Sequence, residues 1–142
     1  MKPIFTLCSV ILLGLPMSGS YAADLNLNIS GATPANGQFL VSVFAGEASW
    51  MKQPVQDKII GVASNGTAST SFELPPGIYG IAIVHDVNRD GKINVNGMGI
   101  PIEAFGFSNN AKALFGPPKF KRASFEIDES GRDVEIRLGR AK

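Results

Sequence analysis

Cysteine is all but missing from this chain: the single one, Cys8, falls within the first ten residues, so no disulfide can form inside the molecule. A cysteine-based zinc site is excluded on the same ground. With one histidine, His85, any zinc centre would need carboxylates for most of its ligands. An overall charge of one sign is missing too. Thirteen Lys plus Arg face twelve Asp plus Glu, a balance without the basic excess that marks nucleic-acid binding. Tryptophan occurs once, no internal repeat is visible, and no long amphipathic helical period runs through the chain.

The only sustained apolar run, Ile4 to Leu15, is shorter than a comfortable membrane-spanning helix. It follows Lys2 and precedes a more polar stretch from Pro16 to Tyr21, the order of a secretory signal peptide. Ser20-Tyr21-Ala22 puts small residues where signal peptidase reads, so the expected cut follows Ala22, with Ala23 as the alternative. A retained anchor is the competing reading. Cys8 has no small residue directly before it, against a lipoprotein signal, and would leave with the leader. The expected organisation is a signal peptide over 1–22 and one domain over 23–142, periplasmic or secreted. That domain would carry no cysteine, no membrane anchor and, without Lys2, a net charge near zero.

Glycine (16) and proline (9) are abundant without any short period, which indicates many turns rather than disorder. Between the turns lie stretches with the two-residue period of strands. Leu25, Leu27 and Ile29 alternate with polar neighbours, and Phe39 to Ala45 is apolar on both faces, as a central strand would be. Lys58 to Ala63, Ala68 to Leu74, Ile78 to Val84, Lys119 to Ile127 and Asp133 to Leu138 come next, with Asn65-Gly66 and Glu129-Ser130-Gly131-Arg132 as hairpin turns. About seven short strands predict an all-β, antiparallel β-sandwich of immunoglobulin-like or transthyretin-like type.

One stretch does not fit that scaffold: His85 to Asn110, polar and rich in glycine. It opens with Asp86, Asn88 and Asp90 at loop positions 1, 3 and 5, Gly91 at 6, Lys92 at 7 to offer its carbonyl, and Asn94 at 9. Oxygen-bearing residues at that spacing converge when a loop curls around calcium. The twelfth position, which takes a bidentate Glu in an EF-hand, is Gly97. Glu103 is the next acid, and Gly97, Gly99 and Pro101 give the chain the bends to bring it back. The site residues expected for a structural calcium ion are therefore Asp86, Asn88, Asp90, Lys92, Asn94 and Glu103. With three formal charges its dissociation constant would be about 10⁻⁴ to 10⁻³ M. The competing reading is that Asp86, Asn88 and Asp90 only satisfy backbone amides in a tight turn.

Leu74-Pro75-Pro76-Gly77-Ile78-Tyr79, His85-Asp86-Val87-Asn88, Gly99-Ile100-Pro101-Ile102-Glu103, Gly106-Phe107-Ser108-Asn109 and Gly116-Pro117-Pro118-Lys119-Phe120 resemble, in this order, a bacterial family of exported proteins catalogued as domain of unknown function 2141. The resemblance implies an exported β-sandwich from a Gram-negative bacterium. It implies no reaction.

The remaining chemistry is sparse. His85 is expected to orient the loop through a hydrogen bond rather than to catalyse. Gly106-Phe107-Ser108 lacks the second glycine of a nucleophile elbow, and Ser108 is expected to cap a short helix over Asn109 to Phe115. Trp50 is expected to plug an end of the sandwich, and Phe105, Phe107, Phe115 and Phe120 to pack the excursion onto it; exposed, they would form a binding surface. The expected function is binding or interaction without catalysis, with an envelope protein or a glycan as partner. A carbohydrate-binding module using Trp50 and Tyr79 is the alternative, and a hydrolase using Asp86 and Glu103 a more remote one.

Overall fold

The computed structural model describes residues 21–140, so the expected leader up to Ser20 and Cys8 lie outside the described residues. Among the described residues eight strands form two sheets: β1 (Ala23–Ser30), β2 (Gln38–Ala45), β3 (Gln56–Gly61), β4 (Ala68–Leu74), β5 (Gly77–Asp86), β6 (Phe105–Phe107), β7 (Phe125–Ile127) and β8 (Arg132–Arg137). A three-stranded sheet runs β4-β1-β8, and a five-stranded sheet runs β3-β2-β5-β6, with β7 also paired to β5. The molecule is a β-sandwich, as the spacing of apolar runs predicts. It is not wholly antiparallel, because β1 and β8 pair in parallel, Leu27 opposite Val134 and Ile29 opposite Ile136.

The core arises from alternation. Leu25, Leu27 and Ile29 of β1 point between the sheets and meet Phe39, Val41 and Val43 of β2 and Ile81 and Ile83 of β5. Burying one such side chain contributes about 1.5–3 kcal/mol. Register is specified with it, since a one-residue slip would turn every one of them to solvent.

Two turns expected to close hairpins instead carry the chain from one sheet to the other. Asn65-Gly66 is a tight turn, with the Gly66 amide donating to the Ala63 carbonyl. However, β3 pairs with β2 whereas β4 pairs with β1. The turn after β7 likewise leads from β5's sheet to β1's. Both flanking faces must bury, and two sheets offer more apolar surface than a lone hairpin.

A second, smaller core lies on the outer face of the five-stranded sheet. Along β5, Tyr79, Ile81 and Ile83 face inward, so Gly80 and Ala82 face outward. Over them lie Phe44, Trp50, Phe107, Phe120 and Ala123. Trp50 therefore covers the face of a sheet rather than plugging the end of the sandwich. Its ring meets Phe44, Phe107 and Phe120 at centroid distances of 5.2, 6.1 and 5.7 Å. Gly80 makes room for this: a Cβ there would stand 2.7 Å from Trp50 Cζ3.

The segment 105–127 departs most from expectation. Phe105–Phe107 is a strand, Ser108–Asn110 a single 3-10 turn, and Asn109 to Phe115 is not a helix. The one α-helical turn among the described residues, α1, spans Phe120–Ala123, within the stretch whose alternation predicts a strand. Phe120 and Ala123, three residues apart, bury on one side of that turn against Trp50's cluster, a tertiary demand that overrides the local alternation. Phe115, expected to pack, is fully exposed.

Candidate functional site

The excursion begins where β5 ends. His85 and Asp86 are its last two residues, both completely buried, and their register partners on β2 are Phe39 and Gln38. The His85 Nε2 lies 2.7 Å from the carbonyl oxygen of Asn36 in the β1–β2 turn. A carbonyl only accepts, so Nε2 carries the proton. The ring stands 5.6 Å from Phe39, and Nδ1 has no hydrogen-bond partner among the described residues. His85 thus fixes the loop's root against the neighbouring turn.

Asp86 organises the first turn of the loop. Its Oδ2 accepts from the Gly91 amide at 2.9 Å and from the Gln38 side chain at 2.8 Å, and its Oδ1 from the Asp90 amide at 3.2 Å. Burial pushes this carboxyl up, but the bonds from Gln38 and from the Gly91, Asp90 and Arg89 amides together hold it below the usual aspartate value. Gly37 lies alongside with φ 79°, and a Cβ there would come 2.5 Å from the Asp86 carbonyl oxygen, so only glycine permits this approach.

Glu103 returns to the loop, as the bends at Gly97, Gly99 and Pro101 foretell. Its Oε1 accepts from the Val87 amide at 3.3 Å and its Oε2 from the Asn94 amide at 3.2 Å, closing the excursion between its two legs. Between them Asn88, Asp90, Lys92 and Asn94 are joined by hydrogen bonds. Asn88 Nδ2 donates to Asp90 Oδ2 at 3.0 Å, and Asn94 Nδ2 to Asn88 Oδ1 at 3.4 Å. The Lys92 amide donates to Asp90 Oδ1 at 2.9 Å. No group of three or more His, Cys, Asp or Glu side chains is gathered to hold a metal among the described residues. The convergence that exists is of asparagines and carboxylates.

Past Asn94 the chain forms a small hairpin. Val95 bridges Pro101, the Asn96 amide donates to the Ile100 carbonyl at 2.8 Å, and Asn96 Oδ1 accepts from the Met98 and Ile100 amides. Its apolar side chains point to solvent: Ile93, Val95, Met98, Ile100 and Ile102 are all exposed, Met98 at 81 %. At its root an open cavity of about 320 Å³ is lined by Thr33, His85, Asn88, Asn94, Glu103 and Arg140, among others.

The bacterial family described as "Uncharacterized protein conserved in bacteria (DUF2141)" matches residues 27–135, from β1 into β8. The chain belongs to that family. No curated protein and no solved structure matches it. In this DUF2141 protein two polar residues make long-range structural bonds without any signal in the sequence. Gln38 is one, reaching Asp86 only through strand pairing 48 residues away. Ser108 is the other: completely buried, it accepts from the Ile81 amide at 2.9 Å and donates to the Ala123 carbonyl, making no helix cap. The aromatics on which the carbohydrate-binding alternative rests are buried, and their polar atoms are used within the protein. Trp50 Nε1 donates to the Pro118 carbonyl at 2.8 Å and the Tyr79 hydroxyl to the Pro75 carbonyl at 2.6 Å.

Proposed function

We propose that this protein is exported, acts without catalysis, and serves as an interaction module that presents the hairpin 93–102 to a protein partner in the cell envelope. The observation that carries this reading is the exposure of Ile93, Val95, Met98, Ile100 and Ile102 on an ordered hairpin. Contiguous exposed apolar residues mark interaction surfaces more often than they mark free solvent-facing structure. Bracing by Asp86 and Glu103 supports it, because a pre-ordered loop loses less entropy on binding. Export is supported by the start of β1 at Ala23, directly after the expected cut. A non-catalytic role is supported by the burial of Asp86 and by the donors that occupy it.

A photo-crosslinking residue in place of Met98, in cells exporting the protein, tests the reading. The expected result is one discrete protein adduct that disappears when Ile100 and Ile102 are changed to Ser. Adducts as diffuse as those from a probe at exposed Glu47 sink it, and a glycan adduct transfers the role to carbohydrate.

A structural calcium ion in the loop Asp86 to Asn94 is part of the same proposal. Counting donors, both oxygens of Asp90 and both of Glu103 each accept one hydrogen bond and keep a lone pair. Those oxygens and the Lys92 carbonyl suit a hard cation, which would draw Asn88 and Asn94 in through their own oxygens. Calorimetric titration with a parallel thermal melt decides it. Binding at about 10⁻⁴ to 10⁻³ M, abolished by Asp90→Ala, supports the ion. No heat and an unchanged melt reduce Asp86, Asn88 and Asp90 to turn residues.

A further inference from the structure

The segment 104–125 contains Lys112, Lys119, Lys121 and Arg122 and not a single Asp or Glu. In a chain whose charges nearly balance overall, this is a local excess, and all four cations are exposed. The loop that carries them is pinned at its base. Asn109 Nδ2 donates to the carbonyls of Arg122 at 3.2 Å and Ser124 at 2.8 Å, and Ser108 is bonded to the Ala123 carbonyl. Its returning leg is fixed to the outer face of the sheet by the bond from Trp50 to Pro118 and by Phe120 against the indole. At the far end, between these fixed points, Leu114 is 68 % exposed and Phe115 fully so. Elsewhere in the segment 104–125, Phe107, Phe120 and Ala123 are buried, and Phe105, Ala111 and Ala113 pack against them.

We propose that the loop 112–122 docks this protein onto an anionic phospholipid surface. Leu114 and Phe115 enter the boundary between headgroups and acyl chains, and Lys112, Lys119, Lys121 and Arg122 lie in the phosphate layer. Charge complementarity selects this occupant. Basic side chains near a bilayer surface are each attracted to anionic lipid, and an apolar tip on the same loop supplies the part that neutral water-exposed surface cannot use. Two apolar side chains exposed this fully suit a fluid interface, whereas a protein partner would have to provide a matching cavity. With two apolar residues and four cations, the attachment is reversible and sensitive to salt. It is independent of the hairpin 93–102, which carries no such charge excess.

The test is co-sedimentation of the protein, purified in the form its cell releases after expression of the full chain. One set of vesicles is pure phosphatidylcholine and the other contains about one third phosphatidylglycerol. Preferential sedimentation with the anionic vesicles, reversed by about 0.5 M salt, is expected. Phe115→Ala with Leu114→Ala should lower the partition about tenfold, and Lys112→Gln with Lys121→Gln should remove the preference for anionic lipid. Both pairs are solvent-exposed, and two independent variants guard against a failure of either to fold. Equal sedimentation with both vesicle types overturns the proposal, as does a partition that neither variant changes. Retention on an acidic polypeptide resin without vesicle binding overturns it in favour of an acidic protein partner.

Discussion

The side chain of Gln38 donates to Asp86 Oδ2 at 2.8 Å, across a pair of strands in which the two residues are direct partners. A single amide at the start of β2 thereby helps to set the shape of a loop that the chain does not reach for another 48 residues.

Asp86→Ala should be among the costliest single changes. It strips the Gly91 and Asp90 amides and the Gln38 side chain of their acceptor next to the core. A loss of about 2–4 kcal/mol in urea unfolding is expected. A midpoint unchanged from wild type would show that water replaces the carboxylate at no cost.

Acid should act through the same residue. The Asp86 carboxyl is held below its ordinary value, so folding favours the ionised form, and the unfolded chain binds the proton more readily. Its contribution is present above the unfolded value of about 3.9 and is lost as pH falls through the lower folded one. Gln38→Leu removes one of the bonds responsible and should move the acid-unfolding midpoint to higher pH. An identical midpoint in the two proteins would take Gln38 out of the account.

Glu103→Gln keeps the size of the side chain but leaves one oxygen to serve both the Val87 and Asn94 amides. A stability loss of about 1 kcal/mol is expected. Amide hydrogen exchange should accelerate at Asn94 while the β2–β5 amides keep their protection. Uniform protection throughout would mean that the hairpin does not depend on this closure.

Gly80→Ala forces a methyl group against Trp50 Cζ3 and Phe120 Cε2, 2.7 and 3.1 Å away. Overpacking of this kind costs about 1–3 kcal/mol. Trp50 reports it directly: the indole must lift from the sheet, so its emission should shift to longer wavelength. Emission like wild type with full stability would mean that β5 yields instead of the indole.

Much of the scaffold is legible in the residues. Strict alternation in Leu25, Leu27 and Ile29 locates a strand because one face alone is buried. The polar spacing from Asp86 to Asn94 marks the loop, and the glycines after it announce the return of Glu103. Partnerships are not legible. Nothing near Asn65-Gly66 says that the strands on either side belong to different sheets, since turn chemistry is local and sheet membership is not. Gln38 and Ser108 are ordinary polar residues until strand pairing sets them beside Asp86 and Ile81. The burial of Phe120 with Ala123 is hidden as well, because their three-residue spacing acquires meaning only from the Trp50 cluster above it.

The parallel pairing of β1 with β8 ties the beginning of the domain to its end. β1 is the middle strand of its sheet, and β8 is one of its only two neighbours. Whatever order the rest of the chain folds in, one edge of β1 stays open until β8 is in place. The sheet that opens the domain is completed only by its last strand, so a truncation that removes β8 leaves an unpaired edge on β1 as well as a bared core face.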